Sequence, residues 1–263
     1  MRTIYTLIVI IFFSCNIAKA QNDTMYVYKA GAIILQHAIA DIDSITFAKI
    51  TAKKFDVYDN DGNGYTTVTI GTQTWMAQNF RGTHFRTGLA VPYVTDSAKW
   101  NHATTAMYCW YNDDKESNAI PYGALYNYYT ATDLNNLAPA GWHVAHWAEY
   151  ATLISNYTAA NGLSAGAVCG QAVTEAGTDH WITDTGATNS SGWTAVPSGL
   201  RDATLSTEYG YQGYATMWWV NDAGETANPN LVLTAYMDHW GPGSLSNSDT
   251  PKTTGLPIRM IKD

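Results

Sequence analysis

Charged side chains are scarce in this sequence of 263 residues, at 14% of the chain. Aromatic side chains are abundant instead, with 10 Trp and 18 Tyr in a composition that is 46% apolar. Such a chain can bury a full core, and its length fits one large domain with a small appendage. Its surface is expected to be rich in amides, hydroxyls and rings, which suits an extracellular or sugar-contacting protein.

Long apolar runs are lacking after the first 20 residues, so no transmembrane segment is predicted in the mature chain. Residues 1–20 have the pattern of an export signal, with a basic start, an apolar run over residues 4–13 and a small-x-small end at Ala20. We expect cleavage between Ala20 and Gln21 and a secreted or cell-surface protein. The alternative is a lipoprotein anchored through Cys15, which follows the apolar run.

Basic residues are also few, at 14 against 22 acidic residues. The signal contains two basic residues and no acid, so the mature chain carries 12 − 22 = −10 charges. This excess of negative charge makes nucleic acid an unsuitable partner and disfavours an anionic membrane surface.

Cysteine is nearly absent, because only Cys109 and Cys169 remain in the predicted mature chain. Export permits a disulfide between them. The alternative is two separate buried thiols, since Cys109 lies in the apolar run 107–111, where a small apolar side chain suits equally well.

The predicted mature chain divides into residues 21–53 and 54–263. In the first part, β-branched and aromatic residues on both sides of Ala30-Gly31 predict a β-hairpin, and residues 41–47 predict a turn and a third short strand. This piece resembles the leader found in front of many secreted Bacteroidetes proteins.

The second part opens with a hairpin predicted around the turn 59–64. Asp59, Asp61 and Asn63 occupy positions 1, 3 and 5 of an EF-hand loop, but the twelfth position is Ile70, where a bidentate carboxylate is needed. A plain Asx-Gly turn is therefore favoured over a calcium site.

The centre of the second part is the stretch Gly141–Ile154, where an extended piece runs into an amphipathic helix from Trp147. Apolar spacing predicts another helix over residues 122–130. After Tyr157 the composition favours short strands and turns, and the strands are predicted at 181–182, 192–196, 214–220, 231–234 and 258–261. Helices in the first half with strands at both ends predict an α+β fold whose ends meet in one sheet.

Several motifs then occur in a fixed order along residues 55–263. They are Asp61-Gly62-Asn63, Trp75-Met76-Ala77-Gln78-Asn79, residues 108–113, 122–127 and 141–144, residues 186–189, 192–197 and 214–219, and Arg259. In this order they resemble the Fibrobacter succinogenes major paralogous domain. The resemblance implies a fold similar to C-type lectins and to formylglycine-generating (sulfatase-modifying) enzymes, with two main helices and short antiparallel strands.

The chain departs from the family pattern at two places. The family usually has cysteines at the positions of Ala138 and Met260. Both cysteines are absent here, as expected if a disulfide between these positions has been lost. Losing such a bridge typically costs about 2–5 kcal/mol, so aromatic packing must carry more of the stability. At the start of the central helix, His146 is a poor N-cap although Glu149 supplies half of a capping box, so we expect a frayed first turn.

No catalytic residue is predicted. The formylglycine-generating enzymes depend on paired redox-active cysteines near the C-terminal end of the fold, and no cysteine follows Cys169. His143 and His146 lack the spacing and the neighbouring ligands of a metal site. Three carboxylates are candidates for a glycosidase-like pair: Asp202, Glu208 and Asp222.

The candidate ligand-binding residues are Trp218, Trp219, Asn221, Asp222 and Asn230. C-type lectins hold calcium and sugar through a Trp-Asn-Asp triplet and a Glu-Pro-Asn-like turn, which Asn221, Asp222 and Asn230 resemble in part. No cofactor is predicted, and calcium is the alternative. Trp218 and Trp219 point to opposite faces of a strand, so one is predicted to be in the core and the other to stack on a sugar.

Together these patterns favour an exported, non-catalytic binding or surface-interaction module, with polysaccharide or another surface protein as its partner. The alternatives are a carboxylate-dependent hydrolase or modifying enzyme and a structural surface protein without a small ligand.

Overall fold

The structure is a computed structural model that describes residues 24–29, 32–41, 54–159, 162–184, 186–222, 228–238 and 244–263. The chain forms two compact units, residues 1–53 and 54–263. The predicted signal over residues 1–20, its cleavage between Ala20 and Gln21, and the alternative anchor Cys15 lie outside the described residues. The third strand predicted within residues 41–47 also lies outside them, apart from Asp41.

The first unit contains the hairpin that its sequence predicts. Strand β1 (Thr24–Lys29) pairs antiparallel with β2 (Ala32–Ala38), and the register shifts between Val27 and Tyr28. One turn of 3-10 helix, Ile39–Asp41, follows β2.

The second unit is built from short strands and helices, as the α+β prediction requires. Its helices are α1 (Ser97–Asn101), α2 (Lys115–Asn118), α3 (Tyr128–Ala131), α4 (Trp147–Ser155) and α5 (Ala165–Val173), with a 3-10 turn at Tyr111–Asp113. Its strands are β3 (Val57–Tyr58), β4 (Gly64–Tyr65), β5 (Thr67–Ile70), β6 (Gln73–Met76), β7 (Tyr108–Cys109), β8 (Leu125–Tyr126), β9 (Trp142–Val144), β10 (Ser198–Arg201), β11 (Tyr209–Gln212), β12 (Ala215–Trp219), β13 (Leu231–Asp238), β14 (Ser246–Pro251) and β15 (Met260–Lys262).

One sheet joins the two ends of the second unit. Its strand order is β5-β6-β15-β9, and each neighbouring pair is antiparallel. The last strand therefore lies between strands that come from much earlier in the chain, and the prediction that both ends meet in one sheet is confirmed.

A second sheet has the order β11-β10-β12-β13-β14, in which only the β10 and β12 pair is parallel. Its central strand β12 separates two hydrophobic clusters, because Trp218 belongs to one and Trp219 to the other. Ala138 and Met260, which stand where the related family has cysteines, are both fully buried in the cluster that contains Trp219.

The helix predicted over residues 122–130 is wrong. This stretch forms β8 and the single turn α3, and the side chain of Asn127 accepts the backbone N–H of Thr130 to cap that turn. Gly123 adopts a φ of +82°, and a Cβ at that position would lie 2.7 Å from the Cβ of Asn79. Close packing against Asn79 therefore overrides the apolar spacing.

Helix α5 was not predicted from the sequence. Ser164 caps it by accepting the backbone N–H of Ala167, but Gly166 and Gly170 within it lower the helix propensity. The strands predicted at 181–182 and 192–196 are wrong, since both segments are irregular. Within the described residues, no helix has the length and apolarity needed to cross a membrane.

Helix α4 follows β9 as predicted, but its buried side is narrower than expected. Tyr150 and Leu153 are fully buried, whereas Ala151 is exposed and Trp147 and Ile154 are only partly covered. The stripe through Tyr150 and Leu153 is therefore the one that faces the core.

Candidate functional site

The predicted residues Asn221 and Asp222 directly follow β12 and lie against the start of α4. The backbone N–H of Asn221 donates to the carbonyl of Ala145 at 3.0 Å. The hydroxyl of Tyr128 donates to the carbonyl of Asp222 at 2.6 Å. These bonds hold the end of β12 between α3 and the turn that leads into α4.

The carboxylate of Asp222 caps α4 from a distant part of the chain. Its Oδ2 accepts the backbone N–H of Trp147 at 2.7 Å, and its Oδ1 lies 2.8 Å from Nδ1 of His146. Glu149 Oε2 accepts the backbone N–H of His146 at 2.8 Å. The expected frayed first turn is therefore wrong, because two carboxylates satisfy N–H groups that His146 alone would leave without partners.

His143 lies between two further carboxylate oxygens. Its Nδ1 is 2.7 Å from Asp263 Oδ1, and its Nε2 is 2.8 Å from Glu149 Oε1. Partial burial alone would lower the pKa of His143, but the hydrogen bonds to Asp263 and Glu149 outweigh it and raise that pKa above its ordinary value. When the ring of His143 is protonated, both of its nitrogens can donate to these carboxylates.

The five residues that meet here form what we call the histidine cluster: His143, His146, Glu149, Asp222 and Asp263. The two imidazole rings are 5.7 Å apart between centroids. Asp222 and Asp263, which follow β12 and β15, are brought to these histidines by the fold, and their positions in the sequence do not indicate this. Among the described residues, no group of three or more His, Cys, Asp or Glu has the arrangement of a metal site.

A small pocket adjoins the histidine cluster, with a volume of about 310 Å³. Its polar lining residues are Thr132, Asp133, Asn136, His143 and Asn221, and the apolar Leu134 also lines it. Leu134 is fully exposed at the opening, so an apolar contact is available beside polar ones.

Some of the polar lining keeps free hydrogen-bonding capacity. Asp133 Oδ1 accepts from the backbone N–H and from the side-chain Nδ2 of Asn135, and Asn136 Oδ1 accepts the backbone N–H of Ala138. Within the described residues, Asp133 Oδ2, Asn136 Nδ2 and the side-chain amide of Asn221 make no such bond. The pocket therefore offers one carboxylate oxygen and two amide groups to a ligand.

Trp218 and Trp219 do not take part in this pocket, and the prediction that one of them stacks on a sugar is wrong. Both side chains are fully buried. Trp218 Nε1 donates to Asn79 Oδ1 at 2.9 Å, and Trp219 Nε1 donates to the carbonyl of Tyr126 at 2.6 Å. Alternation along a strand exposes one of two neighbouring side chains only when one face of the sheet borders water. Both faces of β12 are covered by a hydrophobic cluster, so both tryptophans are buried.

Asn230 lies apart from the pocket lining, in an exposed turn before β13. Its backbone N–H donates to Asn228 Oδ1 at 3.0 Å, and its carbonyl accepts the backbone N–H of Lys252 at 3.1 Å. Both carboxylate oxygens of Asp222 are engaged at the start of α4. The described residues therefore do not form the lectin-like calcium arrangement that Asn221, Asp222 and Asn230 resemble.

The acidic loop over residues 59–64 is an Asx turn, as favoured from the sequence. Asp59 is buried, and its Oδ1 accepts the backbone N–H groups of Asp61 at 3.0 Å and Asn63 at 2.9 Å. Its Oδ2 accepts the hydroxyl of Tyr65 at 2.7 Å. The carboxylate that would begin an EF-hand loop thus stabilises the turn itself.

Cys109 and Cys169 are free and buried, so the possible disulfide between them is not formed and the interpretation as two separate buried thiols is confirmed. They belong to different hydrophobic clusters. Burial raises the pKa of Cys109 to about 12 and that of Cys169 to about 12. Neither is a thiolate at neutral pH, so neither is suited to nucleophilic chemistry.

The candidate carboxylates for a glycosidase-like pair have separate local partners. Asp202 Oδ1 accepts the backbone N–H and the hydroxyl of Thr204. Glu208 Oε2 pairs with Arg201 at 3.1 Å, and Asp222 belongs to the histidine cluster.

The family-like motifs meet at Arg259, which is fully buried. Its Nε donates to Asn79 Oδ1, and its Nη atoms donate to the carbonyls of Met76, Trp193 and Thr194, all at 2.8–2.9 Å. The guanidinium also lies 3.9 Å from the ring centre of Trp193. Burial lowers the pKa of Arg259 to about 9, so it remains charged at neutral pH.

Comparison with known proteins agrees with this arrangement of motifs. The family model of the Fibrobacter succinogenes major domain matches residues 68–262. No curated protein and no solved structure matches the chain. Because the match covers well over half of the sequence, the chain belongs to the Fibrobacter succinogenes major domain family.

Proposed function

We propose that this protein is an exported, non-catalytic binding module that holds polysaccharide in the pocket beside the histidine cluster, on a C-type-lectin-like scaffold. The observation that carries the proposal is the free hydrogen-bonding capacity of Asp133, Asn136 and Asn221 next to the exposed Leu134. Amide and carboxylate groups beside an apolar contact suit a sugar, whose hydroxyls surround patches of C–H.

The neighbouring acid and base groups support binding over catalysis. His143 has both ring nitrogens bonded, and Asp222 has both carboxylate oxygens bonded. A general acid or base needs a proton-transfer position that faces the substrate. We therefore assign His143 to the wall of the pocket and Asp222 to the start of α4, and we expect binding to require no cofactor.

A carboxylate-dependent hydrolase is the second candidate, and one observation favours it. His146 bonds to Asp222 through Nδ1, its side chain is 42% exposed, and its Nε2 has no hydrogen bond within the described residues. An imidazole that is oriented by a carboxylate in this way can act as a base.

Both candidates are tested by binding and turnover on the same glycan array, with calcium and with EDTA. We expect the wild type to retain polysaccharide equally in both buffers and to release no new reducing ends. The double variant Asn136→Ala, Asn221→Ala should bind at least about tenfold more weakly, since each lost hydrogen bond contributes about 1 kcal/mol. The exposed Asn247→Ala on β14 is the matched control and should bind as the wild type does.

Three results would count against the binding proposal. If the wild type retains no glycan, polysaccharide is not the ligand. If the double variant binds as well as the wild type, the ligand does not bind in this pocket. Product release that His146→Gln abolishes would favour the hydrolase.

A further inference from the structure

A set of tyrosines that the proposed pocket does not use gathers around Asp113. Tyr209 donates its hydroxyl to Asp113 Oδ1 at 2.9 Å, and Tyr93 donates its hydroxyl to the carbonyl of Asp113 at 3.4 Å. The rings of Tyr111 and Tyr209 are 5.4 Å apart. We call these residues the tyrosine surface: Tyr93, Tyr111, Asp113 and Tyr209. Tyr93 is its most open ring, at 47% exposure.

The tyrosine surface packs against Arg201, which is 1% exposed. Its guanidinium lies 5.2 Å from the ring centre of Tyr209 and 4.6 Å from that of Trp100. Its Nη atoms donate to the carbonyls of Val94 and Thr95, which follow Tyr93. One buried side chain therefore fixes the segment of Tyr93 and the ring of Tyr209 together. Rings that are fixed before binding lose little entropy when a ligand arrives.

Backbone strain is concentrated beside the same tyrosines. Seven of the described residues other than glycine have a positive φ, and four of them are Asn112, Asp113, Glu208 and Tyr211. Asn and Asp tolerate this region, but Glu208 and Tyr211 are unfavourable there. Strain of this kind persists where the surrounding structure requires it, and it is most common at binding sites.

The edge strand β11 is a poor template for another protein strand. It has four residues, and it pairs with β10 in one continuous register from Tyr209 to Gln212. Gly199 has a φ of +64°, and a Cβ there would meet the carbonyl of Gly210 and lie 2.6 Å from the backbone N of Gln212. An edge strand of only four residues offers few backbone groups to a further strand.

The charges at this surface select the ligand. Asp113 Oδ2 makes no hydrogen bond within the described residues, and Arg201 is covered by the rings and paired with Glu208 at 3.1 Å. The whole chain has a net charge of −8. A polyanion is therefore repelled, whereas a neutral ring with hydroxyl groups can stack on tyrosine and donate to the carboxylate.

From these contacts we propose that the tyrosine surface is a second binding surface for a neutral polysaccharide, which stacks a sugar ring on Tyr93 and donates a hydroxyl to Asp113 Oδ2. This inference rests on the proposed function, because it assigns a further contact for the same ligand class. It also narrows that class to uncharged chains.

Native affinity electrophoresis tests the inference with the full chain. The gels contain hydroxyethyl cellulose or galactomannan as neutral probes, or polygalacturonate as the anionic probe. We expect the neutral probes to retard the wild type, and Tyr93→Ala and Asp113→Asn each to weaken retardation at least about fivefold. Asn keeps the left-handed backbone that Asp113 requires, so this variant retains the fold. Tyr58→Ala removes a ring of similar exposure, at 55%, and is the matched control.

Each outcome has a separate meaning. No retardation of the wild type by any probe overturns the proposed function and the inference with it. The second outcome is that the Asn136→Ala, Asn221→Ala double variant is retarded less than the wild type, whereas Tyr93→Ala and Asp113→Asn are retarded equally to it. This outcome overturns the tyrosine surface alone. Retardation by polygalacturonate alone overturns the assignment to a neutral chain. Should Tyr93→Ala fail to fold, Asp113→Asn and Tyr93→Phe carry the test, with the latter expected to bind as the wild type does.

Discussion

Arg259 and the histidine cluster hold charge in opposite ways. Arg259 is fully buried, and within the described residues its N–H groups bond only to neutral oxygens of one amide and three backbone carbonyls. The histidine cluster is partly exposed, and its imidazoles bond to carboxylates. The first arrangement keeps its bonds across the neutral pH range, whereas the second changes whenever a proton is gained or lost. One stabilises the core, and the other makes the edge of the pocket sensitive to solution conditions.

The largest effect should come from removing the buried charge. Arg259→Met leaves Asn79 Oδ1 without one donor and the carbonyls of Met76, Trp193 and Thr194 without theirs, so we expect the free energy of unfolding to fall by about 4 kcal/mol. Urea unfolding followed by tryptophan fluorescence measures the change. Lys262→Met removes an exposed charge only three residues away and should cost less than about 0.5 kcal/mol. An equal fall in the free energy of unfolding in the two variants would contradict a special role for the buried charge.

A smaller effect is expected where a carboxylate of the histidine cluster caps α4. Asp222→Ala removes the acceptor of the Trp147 N–H and the partner of His146, so the free energy of unfolding should fall by about 1–2 kcal/mol. Hydrogen exchange at the Trp147 amide should accelerate in the same variant. Asp249→Ala, at an exposed position on β14, serves as the control. Unchanged protection of that amide would show that Asp222 does not act as a cap.

The smallest effect concerns pH. The pKa of His143 is raised in the folded state, so its stabilising contribution is fully present below the unfolded value of about 6.5 and is lost as pH rises through the folded value. Thermal unfolding measured between about pH 5 and 9 covers the range in which a histidine titrates. The stability of the wild type and of the control His102→Gln should fall as pH rises, and that of His143→Gln should depend less on pH. Salt should reduce the difference, because the cluster is partly exposed. Identical profiles would contradict the role of His143.

The sequence predicted those parts of the fold that depend on short-range patterns. The hairpin of the first unit, the Asx turn at Asp59 and the passage from β9 into α4 follow from turn residues and from periodicity within a few positions. The meeting of β15 with β6 was predicted as well, because strands stand at both ends of the second unit.

The candidate site was predicted only in part, because its contacts join distant positions. Asn221 and Asp222 were named for a lectin-like role, and the structure places Asn221 at a pocket and Asp222 at a helix start. Asp263 reaches His143 across 120 positions, and no local pattern marks that pair. The burial of both Trp218 and Trp219 also escaped prediction, since alternation gives the two faces of a strand but not what covers each face.

The position of β15 constrains the order in which the second unit can assemble. Residues 260–262 supply the shared neighbour of β6 and β9, so these two strands lack that partner until almost the whole unit has left the ribosome. The contacts that close this sheet connect positions far apart in the chain, and such contacts form slowly. The sheet of the second unit can therefore close only after β15, its most C-terminal strand, has been made.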